Sequence, residues 1–461
     1  MFQKCSIPVI FRRCRELSWL FIILAASSGC IWKTTLFLND FFQYPIVVSF
    51  KVEKFQRLEF PALTICNLNR VKFSYRLCLN LSIPLDTCIF DRDVPTDPFR
   101  NEGPLLMSER RSIFSCSTTN SVKNNKNSTL IRFLSRYILM DKDRRKRIGH
   151  TADQLITKCS FNGRRCSSRD FEEFQSLRYG NCFTFNGKSN FKAVSNTAGP
   201  LGGLELEFNV EFLQYILQTE IGARIAIHNP KEYPALDENG INIPPGFETS
   251  IALRQIQIKR LPSPYKDECV DYSANDVTYN NNQKECVKAC IQAKSYASCG
   301  CVDPTLPSVS EQKVCNMSSD SDMCCLNEVM DNMVNNGTSC ECPLPCLSTY
   351  YKDTISRSYF PSKDLFFVGM LRGQIDKKDE FGKLLFNHYR QGSGKLKVFY
   401  SSMERKVIEQ KPVYLDSELF SNLGGELGFW LGLSFCSLFY SISVAFKLLK
   451  SCIHYWKIIY K

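Results

Sequence analysis

Near the C-terminal end of the chain, Gly424, Gly428, Gly432 and Cys436 recur every four residues, and Ser434, Ser437 and Ser441 follow at i, i+3 and i+7. On a helix the first set makes a face of small residues, which lets another helix approach closely. The second set makes a polar stripe on a nearby face. Both fall in or beside Leu427–Phe446, an uncharged run bounded by Glu426 and Lys447. Hydroxyl and backbone oxygens set among apolar residues can replace the water around a small cation, so the chemistry this pattern offers is ion conduction. Ordinary packing of transmembrane helices uses the same residue types and is the competing reading. Nothing points to catalysis. The four histidines (His150, His228, His388 and His454) fall in no metal-binding or triad-like motif. Cys299-Gly-Cys301 and Cys340-Glu-Cys342 offer thiolates for zinc, but no paired C-x-x-C knuckle recurs, so no metal or other cofactor is expected.

Those residues need a membrane and a scaffold. Leu427–Phe446 is long enough to cross a hydrocarbon core of about 30 Å. Near the other end, Leu17 to Trp32 is uncharged, and a tilted helix with Lys33 snorkelling extends the span to about Leu38. Basic residues, an apolar core and then "AASSGC" also fit a cleaved signal peptide, which would leave a receptor with a single span. Charge favours two spans. Lys4, Arg12, Arg13 and Arg15 precede the first, and Lys447, Lys450, Lys457 and Lys461 follow the second, so both termini read as cytoplasmic. The expected division is a cytoplasmic 1–16, a first span at 17–38, an extracellular 39–420, a pre-pore segment and second span at 421–446, and a cytoplasmic 447–461. The formal charge of +12 is spread along the chain with no aromatic-interleaved basic stripe, which excludes a nucleic-acid partner.

The cysteines agree with this orientation. Of 23, eighteen lie between Cys66 and Cys346, the pattern of an oxidised, disulfide-bonded ectodomain. The N-x-S/T sequons at Asn80, Asn127, Asn316 and Asn336 lie in the same region. Strand-like alternation appears in "YPIVVSFKVEKFQ", "LGGLELEFNV", "ARIAIH" and "NIPPGFETSIALRQIQIKRL". "NNQKECVKACIQAK" reads as a helix that puts Cys286 and Cys290 on one face, and "KCSFNGRRC" can close a small loop through Cys159 and Cys166. The ectodomain is therefore expected to be mixed α and β, with a β core and a disulfide-rich helical lobe. "RRKR" at Arg144–Arg147 fits a furin-type processing site, with a solvated loop as the plainer reading.

Taken in order, "QYPIVVSF" (43–50), "FPALTICNLN" (60–69), "YGNCFTFN" (179–186), "PPGFETSIALR" (244–254), "CPLPCLSTYY" (342–351) and "SNLGGELGFWLGLS" (421–434) resemble the epithelial sodium channel/degenerin family, which includes the acid-sensing channels. The resemblance spans the whole chain. It implies two transmembrane helices and a large disulfide-rich α+β ectodomain with a β palm and β-ball core, a helical thumb, a finger and a knuckle, three subunits surrounding one pore. It implies the bridges Cys66–Cys182, Cys159–Cys166, Cys269–Cys346, Cys286–Cys342, Cys290–Cys340 and Cys301–Cys315, with Cys299 taking Cys324 or Cys325. Cys78, Cys88, Cys116 and the remaining member of that pair would form two further finger bridges. Gly432-Leu433-Ser434 stands at the family's selectivity filter, where the helix breaks, and Gly428, Ser437 and Ser441 would line the pore. Ser421 falls at the gating-sensitive position, and amiloride-type blockers would bind near Ser421 and Gly432. Tyr44, before Pro45, would touch Tyr265 at the thumb base and couple ectodomain motion to the pore. The implied protein is an amiloride-sensitive, voltage-independent sodium channel of the plasma membrane, a homo- or hetero-trimer in lipid with room for an extracellular ligand.

Three departures qualify this. The family's glutamate six residues after the filter serine is Tyr440 here, and the aspartate three residues on is Ser443, so the inner acidic ring is absent. "CSIPVIFRRC" replaces the His-Gly pair before the first span, and Ile46 stands where proton-gated members often carry histidine. A non-conducting accessory or sensory subunit that needs partners is therefore the alternative. An ATP-gated trimer, a third reading, lacks support because the filter and "FPALTICNLN" belong to the sodium channel pattern.

Overall fold

The computed structural model describes residues 7–72, 137–187, 192–215, 220–272 except 231, 282–335 except 305, 307–311, 317 and 318, 340–370, 379–432, and 440, 442–444, 447 and 450. Among the described residues the α-helices are α1 (Ile7–Phe41), α2 (Lys142–Ile148), α3 (Ala152–Leu155), α4 (Leu236–Asn239), α5 (Gln283–Cys299), α6 (Asp320–Asn335), α7 (Glu380–Gly392) and α8 (Asp416–Leu431). The strands are β1 (Ile46–Lys54), β2 (Leu58–Glu59), β3 (Ala62–Asn67), β4 (Ile156–Phe161), β5 (Arg164–Cys166), β6 (Phe171–Ser176), β7 (Gly180–Phe185), β8 (Val194–Ser195), β9 (Leu204–Asn209), β10 (Ala223–His228), β11 (Ile241–Ile243), β12 (Phe247–Lys259), β13 (Leu347–Tyr359) and β14 (Ser393–Pro412). The chain forms two compact units. One holds Met1–Ser49, Leu261–Glu268 and Glu409–Lys461, and the other Phe50–Arg260 and Cys269–Ile408.

The larger unit is built on two sheets, the first mixed, with β12 and β14 side by side in the same direction, and the second antiparallel. One runs β13-β12-β14-β9-β4-β5, with β1 also on β14, and the other runs β11-β10-β3-β7-β6. Alternation explains the common core. In β9, Leu204, Leu206 and Phe208 are buried while Glu205 and Glu207 lie between them, as period 2 requires. They meet Leu396, Val398 and Tyr400 of β14, Ile251 and Leu253 of β12, and Leu63, Ile65, Phe183 and Phe185 of the other sheet. Each such side chain contributes about 1.5–3 kcal/mol of transfer free energy. Phe60 sits among Phe161, Phe185 and Tyr400 with ring centroids 5.1–6.4 Å apart, and the Tyr400 hydroxyl donates to the Glu59 carbonyl at 2.6 Å.

A cysteine-rich excursion leaves and re-enters this sheet between β12 and β13, which pair along their whole length from Phe247↔Tyr359 to Lys259↔Leu347. Its base is closed by Cys269–Cys346. On α5, Cys286 and Cys290 bridge to Cys342 and Cys340, two staples from one helix face to one returning strand of chain. Cys301 is bridged to Cys315, Cys66 to Cys182 between β3 and β7, and Cys159 to Cys166 across β4 and β5. Cys299 takes Cys325, not Cys324. The two candidates lie about 100° apart on α6, and Leu326, next to Cys325 in the chain, packs with Met323 against Cys299, Cys301 and Cys315. Cys324 is also disulfide-bonded. Its partner is none of the other described bridged cysteines, all of which are paired among themselves. Cys78, Cys88 and Cys116 lie outside the described residues.

The tetrabasic run is neither a loop nor an extended strand. It lies inside α2, whose first turn is capped by Asp141 accepting from the Arg144 amide at 2.8 Å. Arg144 also pairs with Asp141, Arg145 donates to the Ile138 carbonyl, and Lys146 pairs with Glu173 at 2.7 Å.

In the smaller unit, α1 contains the one helix among the described residues that is long and apolar enough to cross a membrane, Leu17–Phe41. It runs three residues past the expected end at Leu38. No breaker intervenes before Tyr44-Pro45, and Phe37 and Phe41 pack on Tyr414 at 5.4 and 6.4 Å. The second apolar segment begins its helix at Asp416, five residues before the expected Ser421. Asp416 and Glu418 suit the positive end of the helix, and the Glu418 carboxylate accepts from the Leu415 amide at 3.0 Å.

Candidate conduction site

Helix α8 has two faces. Leu419, Leu423, Glu426 and Trp430, spaced by four, three and four, are half-buried. That side meets α1, where Trp430 lies against Gly29. On the opposite side Ser421, Gly425, Gly428 and Gly432 are exposed. A methyl group added at Gly424, Gly425 or Gly432 would touch nothing. The structure thus places Ser421, Gly428 and Gly432 on one open stripe, directed away from α1.

The helix ends on that stripe. Gly432 adopts φ 60° and ψ 21°, a left-handed conformation that costs a residue with Cβ about 1 kcal/mol or more. Its N–H turns back to the Gly428 carbonyl at 3.0 Å. An α-helix leaves its last carbonyls without intrahelical partners, and the dipole gives that end a partial negative charge. Chemically, the end of α8 can offer oxygen ligands and a field favourable to a cation. Leu433, Ser434, Ser437 and Ser441 lie outside the described residues. Tyr440, at the position of the missing glutamate, is 73% exposed.

The neighbouring contacts reach α8 from the other end. Tyr44 and Tyr265 meet edge to face, with centroids 5.7 Å apart and planes at 77°. Tyr44 itself takes a positive φ of 49°, held by its amide donating to the Phe41 carbonyl at 3.0 Å. The next residue, Pro45, accepts from the Val413 amide at 3.0 Å, three residues before α8 begins. Gln410 completes the link. Its side chain accepts from the Leu261 amide at 3.1 Å and donates to Asp267 at 2.6 Å. Sequence reasoning found the tyrosine pair but missed Gln410, Asp267 and Tyr414. An amide side chain late in a strand and a tyrosine just before a helix carry no distinctive spacing.

Among the described residues no cluster of metal-ligating side chains occurs. Of the sequons, Asn316 is exposed just before α6, and Asn80, Asn127 and Asn336 lie outside the described residues. A polar pair sits in the larger unit, with His150 buried and Glu211 half-buried. His150 Nδ1 donates to the Glu211 carboxylate at 2.7 Å, and that hydrogen bond holds the Glu211 carboxyl below the usual glutamate range.

Comparison with known proteins places the chain in a class. A family model described as "Amiloride-sensitive sodium channel" matches residues 7–440. The chain belongs to this family of epithelial sodium channels and degenerins. It is 29% identical to degenerin mec-10 of Caenorhabditis elegans over 317 residues, 67% of this chain and 43% of that one. It is 26% identical to the epithelial sodium channel subunit gamma of Bos taurus over 530 aligned positions, 96% of this chain and 79% of that one. The matched part is less than half the length of the degenerin relatives. A solved proton-activated chloride channel aligns with 94% of this chain at 5% identity and a TM-score of 0.31, too low for a shared fold to be argued.

Proposed function

We propose that the chain is a subunit of a trimeric, sodium-permeable, voltage-independent channel, blocked by amiloride-type compounds, whose pore is lined by the open face of α8 and the residues after it. One observation carries the reading. Ser421, Gly425, Gly428 and Gly432 share a stripe facing away from α1, and the helix breaks in a left-handed turn where that stripe ends. Three such stripes around an axis would surround a path, and the carbonyls freed at the break would take the place of a cation's water. Small side chains allow the close approach this needs. Leu433 and Ser434 would complete the filter, with Ser437 and Ser441 lining the path beyond it. The packing of α1 on α8 supports a retained first span over a cleaved leader, and the basic flanks support cytoplasmic termini in the plasma membrane.

The alternative is a non-conducting accessory or sensory subunit, favoured by Tyr440 and Ser443 in place of the inner acids. Expression of the full chain with Ser421→Phe, alone and with partner subunits, separates the two. An amiloride-blocked sodium current establishes the channel. Protein at the cell surface that carries no current in either setting refutes conduction by this chain.

A further inference from the structure

Glu426 is the one acidic residue between Glu418 and the end of the apolar run, and it does not face the open stripe. It lies on the side of α8 that meets α1. Its carboxylate accepts a hydrogen bond at 2.8 Å from the indole N–H of Trp430, one turn on. That bond fixes the direction of the indole ring. The ring in turn lies over Gly29 of α1, where a Cβ would stand 2.7, 2.9 and 3.0 Å from three of its carbons. Contacts that close do not occur between real atoms, so alanine at position 29 would push the ring away. Trp430 is two residues before Gly432, where the helix turns left-handed.

We propose that Glu426 and Trp430 are positioning residues for the turn at Gly432. The indole is keyed into the notch left by Gly29, the carboxylate orients the indole, and together they set how far along α1, and at what rotation, the carbonyls at the end of α8 are held. A carboxylate in an apolar helix is costly, so its place there calls for a specific partner, and the indole N–H is that partner. Ion selectivity depends on oxygen positions more finely than expression or assembly does. The proposal rests on the channel reading, in which Gly432 opens the filter.

The test is a mutant cycle in the full chain carrying Ser421→Phe, with sodium and potassium permeabilities taken from reversal potentials. Glu426→Leu and Trp430→Phe each remove the hydrogen bond. Each is expected to change the sodium-to-potassium permeability ratio several-fold, within the roughly ten-fold that about 1.5 kcal/mol of hydrogen bond can supply. The double variant should match either single one. Glu426→Gln keeps an acceptor and should stay near the parent ratio, and Gly29→Ala should shift it. Permeability ratios equal to the parent in Glu426→Leu and Trp430→Phe would overturn the proposal, as would additive effects. If no variant carries current, alone or with partner subunits, although the protein reaches the surface, the channel reading has failed, and the Glu426–Trp430 latch on Gly29 is judged by itself. The same cycle is then read on the melting temperature of the purified full chain. A non-additive loss upholds the latch, and additive losses overturn it.

Discussion

Replacing Tyr44 and Tyr265 by alanine, singly and together, tests whether the ring contact beside Pro45 transmits to α8. The rings meet edge to face at 5.7 Å, within the range where an aromatic pair contributes about 0.5–1.5 kcal/mol beyond its buried area. If gating breaks this contact, the pair biases the closed–open equilibrium by its full coupling energy. At about 1 kcal/mol that is a five-fold change. The backbone sharpens the design. Tyr44 holds φ at 49°, so Tyr44→Ala keeps the same left-handed constraint while losing the ring. Tyr44→Phe keeps both ring and constraint and should behave like the parent. The assay is open probability of single channels in the Ser421→Phe background. The expected result is that each alanine shifts the closed–open ratio about five-fold and that the double variant adds little. Effects that multiply to within about two-fold would show the two rings acting independently and would refute the coupling argument.

Removing Cys269 and Cys346 together opens a loop spanning 77 residues, and the chain-entropy estimate puts the loss at about 4.5 kcal/mol. A markedly lower melting temperature and easier proteolysis of the full chain would show it. Glu211→Gln should lower the melting temperature at neutral pH. The folded-state carboxyl is depressed, so its contribution is present above the ordinary glutamate range and disappears as pH falls through the lower folded value. The gap between parent and variant should therefore narrow below about pH 4. Asp141→Ala removes the cap of α2, worth about 1 kcal/mol. Cleavage at Arg144–Arg147 by a basic-specific protease should rise about five-fold, read as fragment yield on a gel under native conditions. Tyr440→Glu with Ser443→Asp should raise single-channel conductance by restoring negative charge behind the filter, most visibly at low salt.

Much of the scaffold is legible in the sequence because period 2 and cysteine spacing are local. Leu204, Leu206 and Phe208 announce β9, and Cys286 with Cys290 announces one face of α5. β13 is different. Most of its thirteen positions are exposed or half-exposed, so no buried alternation marks it, and only pairing with β12 makes it a strand. The choice between Cys324 and Cys325 is hidden for a related reason. Adjacent residues differ by a rotation of α6 that only the packing of Leu326 against Cys301 and Cys315 decides.

The same limit governs the glycines of the membrane segments. In sequence Gly424, Gly428 and Gly432 read as small residues that permit close approach, and Gly29 carries no distinguishing signal. The structure divides them. Gly29 is filled by the indole of Trp430, while a methyl at Gly424 or Gly432 would meet nothing. The signal for that division was present as the 4-3-4 spacing of Leu419, Leu423, Glu426 and Trp430. Glu426 reads more simply as the charged boundary of an apolar run, which conceals its place in the stripe. A helix in lipid gains little from leaving a glycine face bare, since lipid tails pack on it poorly and the backbone stays accessible. The covered notch fixes α8 within one chain. The bare stripe on its far side is the face of α8 left open within the chain, and this is why the proposed pore lies there and not along α1.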